Sequence, residues 1–326
     1  AEDGIRDIGV TGVQTCALPI SAILKRMVAK ADVLIENFRT GTLARYGLGY
    51  EDLRAINPRL IYCSVTGFGQ DGPYAERAGY DFMIQAMGGI MDLTGTPDGE
   101  PQKIGVAFAD IFTGVYGVIG IQAALRQRDL TGEGAHIDMA LLDTQVSVLA
   151  NQAMNFLVSG KAPRRLGNAH PNIVPYQVFP VADGHVVIAV GNDGQFKKLC
   201  HILDCADLAD DPLYATNPAR VNNRSVLCEK IAELTVKFSR ADLLSALEKL
   251  GVPAGPINTV ADVFADVQVQ SRGMKVDLEN PEALLGHVPS VRTPIVINGE
   301  PMVASRPAPR LGADTQTVLN DKAWGA

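Results

Sequence analysis

The sequence is poor in the residues that mark several large classes of protein. Its 29 lysines and arginines are outnumbered by 36 aspartates and glutamates, and the net charge of −7 argues against a general nucleic-acid-binding surface. Its five cysteines include no CxxC pair and no metal-ligand spacing with histidine, so reduced thiols are expected and a metal site is not. The longest apolar run, 111–125, is interrupted by Thr113 and Gln122 and falls short of a membrane span. We therefore expect a soluble, cytoplasmic protein.

Alternating short strands and helices in the first half predict a parallel sheet. Strand, helix and strand joined by short connections are typical of the α/β class. The expected elements are a helix from Ser21, strands at 32–36 and 60–66, a helix from about Asp110 to Gln127, a strand at 136–139 and a helix over 141–158.

The pattern changes after a short basic linker, 160–167. Two β-forming runs on either side of 182–184 predict a hairpin, and helical patterns dominate 195–250. A second, smaller α+β domain is therefore expected. Cys200 and Cys205 lie within it and are interpreted as core residues.

The first twenty residues look foreign to the rest of the chain. They show no clean periodicity and end where a well-patterned helix begins at Ser21. They are similar to translated adapter sequence, and a natural irregular arm is the alternative. We exclude residues 1–20 from fold reasoning and expect them to make few buried contacts.

The segment 67–72 reads GFGQDG directly after a predicted strand, which raises the possibility of a dinucleotide site. That fingerprint needs its last glycine to open a helix that meets the pyrophosphate. Here Pro73 and Tyr74 follow, and no helical pattern begins until about Tyr80. A flexible glycine loop is the favoured interpretation.

Asp110 precedes an apolar segment that carries no charge until Arg126. One interpretation is a helix N-cap, which would stabilise the helix by about 1 kcal/mol. The other is a nucleophile, because a carboxylate fixed at the mouth of an apolar helix lies near free amides that stabilise a developing oxyanion. The pattern leaves both open.

Two further polar clusters are candidates for ligand binding. Asn37, Phe38 and Arg39 follow the first strand at the edge where α/β proteins bind ligands, and Arg39 with Arg45 could neutralise phosphates. A solvated helix face is the alternative. For the pair 80–81, tyrosine and aspartate, the pattern by itself favours a core tyrosine followed by a helix cap over a binding role.

Taken together, these motifs indicate a resemblance to a known family that no single motif would establish. From about Ser21 to the C-terminus the chain resembles the family III, or CaiB/BaiF-type, coenzyme A transferases. The resemblance rests on the segments 31–39 (ADVLIENFR), 67–74 (GFGQDGPY), 79–81 (GYD), 105–114 (GVAFADIFTG), 132–138 (GEGAHID) and 167–172 (GNAHPN).

The resemblance implies roles for individual residues. Asp110 falls on the family's catalytic aspartate, and Tyr80 and Asp81 fall on its active-site wall. The residues at the positions where the family contacts CoA are Asn37, Phe38, Arg39 and Arg45. The family binds no permanent cofactor and uses CoA and acyl-CoA as substrates.

The resemblance also implies an architecture. The expected fold is a Rossmann-like large domain with a smaller α+β domain, in a homodimer whose two chains interlock. The expected segments are a foreign arm (1–20), the first part of the large CoA-binding domain (21–166), the small domain (167–274) and a C-terminal segment that returns to the large domain (275–326).

Two departures from the family pattern leave alternatives open. No counterpart of the family's opening βαβ unit is present, so a truncated, non-catalytic CoA-binding remnant is one alternative. The other is an α-methylacyl-CoA racemase, but the slot of its catalytic histidine holds Tyr80, and racemisation needs two bases. The expected activity is transfer of CoA from succinyl-CoA or a similar donor to a carboxylic or dicarboxylic acid.

Overall fold

The computed structural model describes residues 11–321, and their side chains from Ile20 onward. The chain divides into two compact units. The described residues up to Gly167, with those from Asp314, form the first unit, and Asn168–Ala313 form the second. Residues 275–313 group with the second unit in this division, and the expected return of 275–326 to the large domain stays a prediction.

A three-stranded parallel sheet organises the first unit. Its strands lie in the order β1 (Val33–Glu36), β2 (Ile61–Thr66) and β3 (Ala135–Ala140). Val33 pairs with Ile61, which in turn pairs with Ala135. The carboxyl ends of all three strands therefore meet at one edge, where ligands bind in open α/β sheets.

Helices cover both faces of this sheet. The helices from Thr11 to Ser159 are α1 (Thr11–Val28), α2 (Tyr50–Ile56), α3 (Asp81–Met87), α4 (Ile90–Leu93), α5 (Phe108–Thr131), α6 (Leu141–Ser147) and α7 (Ala150–Ser159), with a 3₁₀ turn at Ala44–Tyr46. Val28 and Leu53 of α1 and α2 pack beside Tyr62 on one face, and Ile121 of α5 packs beside Ile61 and Cys63 on the other. This burial on both faces explains why Ile61, Tyr62 and Cys63 are buried at successive positions of β2.

The second unit has its own core. An antiparallel sheet in the order β4 (Tyr176–Val181), β5 (Gly184–Ala189) and β6 (Ala254–Pro256) packs against helices. Phe179, Ile188, Phe196 and Leu243 are fully buried in this core. The helices are α8 (Asp193–Ile202), α9 (Asp207–Asp210), α10 (Asn217–Asn222), α11 (Arg224–Thr235) and α12 (Arg240–Lys249).

The remaining elements are short. They are α13 (Val260–Ala265), α14 (Val267–Ser271), the antiparallel pair β7 (Lys275–Glu279) and β8 (His287–Val291), the pair β9 (Val296–Ile297) and β10 (Glu300–Pro301), and α15 (Thr315–Asn320) of the first unit.

Two predicted helix boundaries are wrong. Helix α1 begins at Thr11 rather than Ser21, since extending a helix needs no second nucleation even where the side-chain pattern is poor. The helix predicted over 141–158 is two helices, because Ala150 takes a left-handed backbone with φ of 48°. Residues 1–10 of the foreign-looking arm, and the side chains up to residue 19, lie outside the described residues.

Within the described residues, α5 is the one helix that has the length and apolarity of a membrane span. The sequence-based judgement that the run was too short is therefore wrong by this criterion, because the helix extends beyond the uncharged run at both ends. Ile121 and Ala124 of α5 pack against the sheet, and length and composition alone do not separate such a core helix from a span.

Candidate active site

The segments that follow β1 and β2 are tied together at the carboxyl edge of the sheet. The side-chain amide of Asn37 donates to the carbonyl of Val65 across 2.6 Å, and the Thr40 hydroxyl donates to the carbonyl of Gly69 across 3.3 Å. From β3, the Asp138 carboxylate accepts the backbone N–H of Gln70 at 2.8 Å. All three strands thus hold the glycine-rich loop in place.

Two glycines let the chain return to this edge. A Cβ on Gly67 would lie 2.5 Å from the Cα of Gly79, and a Cβ on Gly79 would lie 2.4 Å from the Cα of Gly67. Side chains cannot occupy such a contact, so only glycine permits it. The contact brings Tyr80 and Asp81 beside the end of β2.

The same geometry argues against a dinucleotide site in the loop. Gly69 and Gly72 take left-handed conformations, with φ of 92° and 82°, and the loop continues through turns until α3 begins at Asp81. The last glycine therefore does not open a helix, as the dinucleotide fingerprint requires. The glycines serve close packing and tight turns.

Asp81 caps the helix that carries Asp110. Its Oδ1 accepts the backbone N–H of Ala109 at 2.8 Å and that of Asp110 at 3.4 Å. Ala107 is the N-cap residue of α5, so Asp110 lies within the first turn. The hypothesis that Asp110 is the N-cap is therefore wrong. The helix begins earlier than the pattern predicted, and its free amides are satisfied by a carboxylate 28 residues away in sequence.

Gln85, one turn along α3, holds Asp81 in place. Its side chain is fully buried, and its Nε2 donates to Asp81 Oδ2 at 2.7 Å and to the Val106 carbonyl at 3.3 Å. Its Oε1 accepts the backbone N–H of Ile104 at 2.9 Å. One glutamine thus joins Asp81 to the segment that leads into α5. Sequence analysis missed Gln85 because a glutamine inside a helix carries no signal of its own.

The Asp110 carboxylate is left available. It forms no hydrogen bond or ion pair with any residue that the structure describes, although its neighbour Asp81 is fully engaged. Burial raises the pKa of Asp110 above its ordinary value, and the nearby negative charge of Asp81 raises it further. A carboxylate that is fixed by a capped helix, unpartnered and made more basic has the attributes of a nucleophile.

The other predicted residues belong to the segments that follow β1 and lead into α3. Tyr80 is 63% exposed at the start of α3, and Phe38 is 55% exposed, its backbone N–H donating to Glu36 Oε2 at 2.8 Å. Arg39 and Arg45 are exposed, and neither forms an ion pair with a described residue.

A third cation, Lys25, was not singled out by sequence analysis. The ammonium of Lys25 in α1 lies 3.0 Å from the position that a Cβ would occupy on Gly47, the residue that ends the 3₁₀ turn carrying Arg45. Sequence analysis passed over Lys25 because it lies with Arg26 in the last turn of α1, where basic residues are common in any helix.

The chain is similar over most of its length to proteins of known class. Residues 20–315 match the model of CoA-transferase family III. The succinate–glutarate CoA-transferase of Agrobacterium fabrum is 56% identical over 298 residues, which cover 91% of this chain and 74% of that protein. Human succinyl-CoA:glutarate CoA-transferase is 42% identical over 300 residues, which cover 92% of this chain and 68% of the human protein.

A solved structure shows the same fold. The crystal structure of a CaiB/BaiF family protein from Brucella suis matches with a TM-score of 0.78 and 60% sequence identity, and covers 92% of this chain and 77% of that one. The chain belongs to CoA-transferase family III. The resemblance drawn from the motifs and the predicted α/β fold class are thereby confirmed.

Proposed function

We propose that this chain transfers CoA from succinyl-CoA, or a similar acyl-CoA donor, to a dicarboxylic acid through an aspartyl-CoA thioester on Asp110. The names of its relatives support the donor and acceptor classes. One observation supports the mechanism above all others. The Asp81 carboxylate caps α5, whereas the Asp110 carboxylate has no hydrogen-bond partner among the described residues.

The first half of the reaction loads CoA onto the protein. An oxygen of the Asp110 carboxylate attacks the thioester carbonyl of the donor, the C–S bond breaks, and CoA thiolate leaves behind a mixed anhydride. The thiolate then attacks the Asp110 carbonyl carbon of that anhydride. The donor leaves as a carboxylate, and Asp110 carries CoA as a thioester.

The second half reverses these steps with the acceptor. The acceptor carboxylate attacks the aspartyl thioester and releases the thiolate, which gives a second mixed anhydride. The thiolate attacks the acceptor side, the new CoA ester forms, and the Asp110 carboxylate is regenerated. No net proton transfer is needed. A carboxylate nucleophile is required because an acyl-carboxylate anhydride conserves the free energy of the thioester.

Asp81 and Gln85 act in this scheme as positioning residues. They anchor the first turn of α5 and keep its amides from binding the Asp110 oxygens. Burial, and after it the charge of Asp81, raises the pKa of Asp110, which makes the ionised carboxylate a stronger nucleophile.

Three cations support a site for the phosphates of CoA, of which Arg39 and Arg45 are exposed and Lys25 is half-buried. Arg39, Arg45 and Lys25 carry positive charge beside the segment that follows β1, and Asn37 and Phe38 belong to the same segment. Guanidinium groups suit phosphate because their forked donors match its oxygens. We assign these five residues to CoA binding, with Tyr80 on the wall beside Asp110.

We also propose that the chain works as an interlocked homodimer. Helix α5 carries a band of exposed apolar side chains, Ile111, Val115, Val118 and Ile119, which is costly to leave in water. A second chain that covers this band and the linker near Gly160 would remove that cost.

An assay with succinyl-CoA and a panel of mono- and dicarboxylates tests the proposal. The expected result is formation of a new acyl-CoA with a dicarboxylate acceptor and its loss in Asp110→Asn. A folded wild-type chain that binds acyl-CoA without transfer would establish the remnant alternative. Exchange of the α-proton of a branched acyl-CoA would establish the racemase.

A further inference from the structure

Two cysteines of the second unit lie together at the end of α8. Cys200 is in the last turn of the helix and is 1% exposed, whereas Cys205 lies just beyond the helix and is half-buried. The five-residue separation fits neither a CxxC redox motif nor a metal site, so the sequence assigned both to the core.

The turn after α8 brings the two residues within bonding range. The backbone N–H of Cys205 donates to the carbonyl of Cys200 at 2.9 Å, and Asp204 closes the turn in a left-handed conformation with φ of 54°. With standard backbone bond lengths this hydrogen bond keeps the two Cα atoms within about 7 Å. That separation is about the upper limit at which a disulfide forms without backbone movement.

The two thiols also interact with each other and become unequal. The neighbouring Cys200 thiol lowers the pKa of Cys205, and the neighbouring Cys205 thiol together with burial raises the pKa of Cys200. The more exposed thiol is therefore also the better source of thiolate, and the buried thiol lies beside it.

The other described cysteines differ in both respects. Cys63 and Cys228 are buried, and burial raises the pKa of both, that of Cys228 to about 11. Neither has a second cysteine among the groups that act on it. They serve as internal controls for any claim about the pair.

We propose that Cys200 and Cys205 form a peroxide-sensitive dithiol, in which Cys205 is the attacking residue and Cys200 the resolving residue. The inference is independent of the transferase mechanism, since it rests on the second unit alone.

The chemistry balances with a peroxide as the two-electron oxidant. The Cys205 thiolate attacks one peroxide oxygen, the O–O bond breaks, and the departing hydroxide takes up a proton as water, which leaves a sulfenic acid. The Cys200 sulfur, losing its proton, attacks the sulfenic sulfur. The S–S bond forms as the S–O bond breaks, and a second water leaves. Two thiols are oxidised and one peroxide is reduced to two waters.

The test uses the full chain with Cys16→Ser, so that only the four described thiols remain. The folded protein is treated with hydrogen peroxide, and intact mass and proteolytic peptides are followed in time. We expect a loss of about 2 Da that maps to an intramolecular disulfide between Cys200 and Cys205 and is reversed by a dithiol reductant.

Two variants separate the roles. Cys200→Ala should leave a sulfenic acid on Cys205 that dimedone traps, at a rate about tenfold above that of Cys228. Cys205→Ala should leave Cys200 as unreactive as Cys228. The proposal fails if the folded chain keeps both thiols reduced under peroxide that oxidises free dithiothreitol completely, or if Cys63 or Cys228 reacts as fast. Because the disulfide readout keeps both Cys200 and Cys205 and changes only Cys16, a Cys200→Ala or Cys205→Ala variant that does not fold leaves the test intact.

Discussion

The carboxylate of Asp81 lies against the backbone N–H of Asp110, 3.4 Å from the nitrogen, and accepts the neighbouring N–H of Ala109 at 2.8 Å. One acidic residue thus satisfies the start of the helix that presents the other. This arrangement leaves the Asp110 carboxylate without a hydrogen bond to any described residue, and after burial the charge of Asp81 is the second cause of its raised pKa.

The first prediction concerns pH. Because Asp110 must be ionised to attack, kcat/KM should fall as the pH drops through the raised pKa of its carboxyl group. Asp81→Asn removes the second cause of that shift, so the acid limb of the profile should move to lower pH. The measurement is the pH dependence of kcat/KM for both proteins. An acid limb that stays in place, or moves to higher pH, would show that Asp81 does not act on the titrating group.

The second prediction concerns Gln85. Gln85→Leu removes a fully buried amide and leaves Asp81 Oδ2, the Ile104 N–H and the Val106 carbonyl without the partner it supplies. We expect a loss of about 2–4 kcal/mol in the free energy of unfolding and a lower kcat. Urea denaturation and steady-state kinetics measure the two effects.

Gln145 provides the matched control for this variant. It is also fully buried, but neither atom of its side-chain amide has a hydrogen-bond partner among the described residues. Gln145→Leu should therefore cost little stability or increase it. Equal losses in the two variants would mean that burial of a glutamine, and not the network around Asp81, is what matters.

The third prediction concerns the approach of two backbones. Gly79→Ala places a methyl group 2.4 Å from the Cα of Gly67, where no flexible side chain can move aside. We expect the free energy of unfolding to fall by about 3 kcal/mol, together with weaker activity because Tyr80 and Asp81 shift. Gly255→Ala is the control, since its Cβ would meet nothing within 4 Å. A Gly79→Ala protein as stable as this control would rule out the close contact.

The fourth prediction concerns the CoA site. Arg45→Ala should raise KM for the acyl-CoA donor about tenfold at low salt, a loss of about 1.4 kcal/mol, because a guanidinium that pairs with phosphate is removed. Its kcat should change little, since Arg45 is assigned to the phosphates of CoA and not to the reacting carbonyl. The effect should shrink as salt screens the charge. Lys237→Ala, an exposed cation of the second unit, should leave KM unchanged. Equal KM values for the two variants would remove Arg45 from the site.

The parts of this account that sequence could supply are those with a local pattern. The strands β1 and β2 were evident because β-forming residues run uninterrupted between turn signals, and α5 was evident from its length without charge. The sequence also shows a change of pattern after Gly167, from which the domain boundaries were predicted. The family resemblance supplied Asp110, which pattern alone left as a helix cap or a nucleophile.

The parts that sequence could not supply depend on contacts across many residues. Nothing near Asp110 indicates that Asp81 caps its helix, and a glutamine at 85 looks like any polar helical residue. The packing of Gly67 against Gly79 joins two segments twelve residues apart, and single glycines do not reveal their partner. The left-handed backbone at Ala150, which divides one predicted helix into two, likewise has no sequence signal.

The most direct test of the central claim is a search for the covalent intermediate on Asp110. The wild-type chain and Asp110→Asn are mixed with succinyl-CoA, quenched with hydroxylamine, digested and analysed by mass spectrometry. Since burial and Asp81 raise the pKa of Asp110, its charge works against folding at neutral pH, and the asparagine variant should fold at least as well as the wild type. The account predicts an aspartyl hydroxamate on the peptide that carries residue 110 of the wild type, and neither hydroxamate nor transfer in the folded variant. Substantial CoA transfer by a folded Asp110→Asn protein would contradict the mechanism.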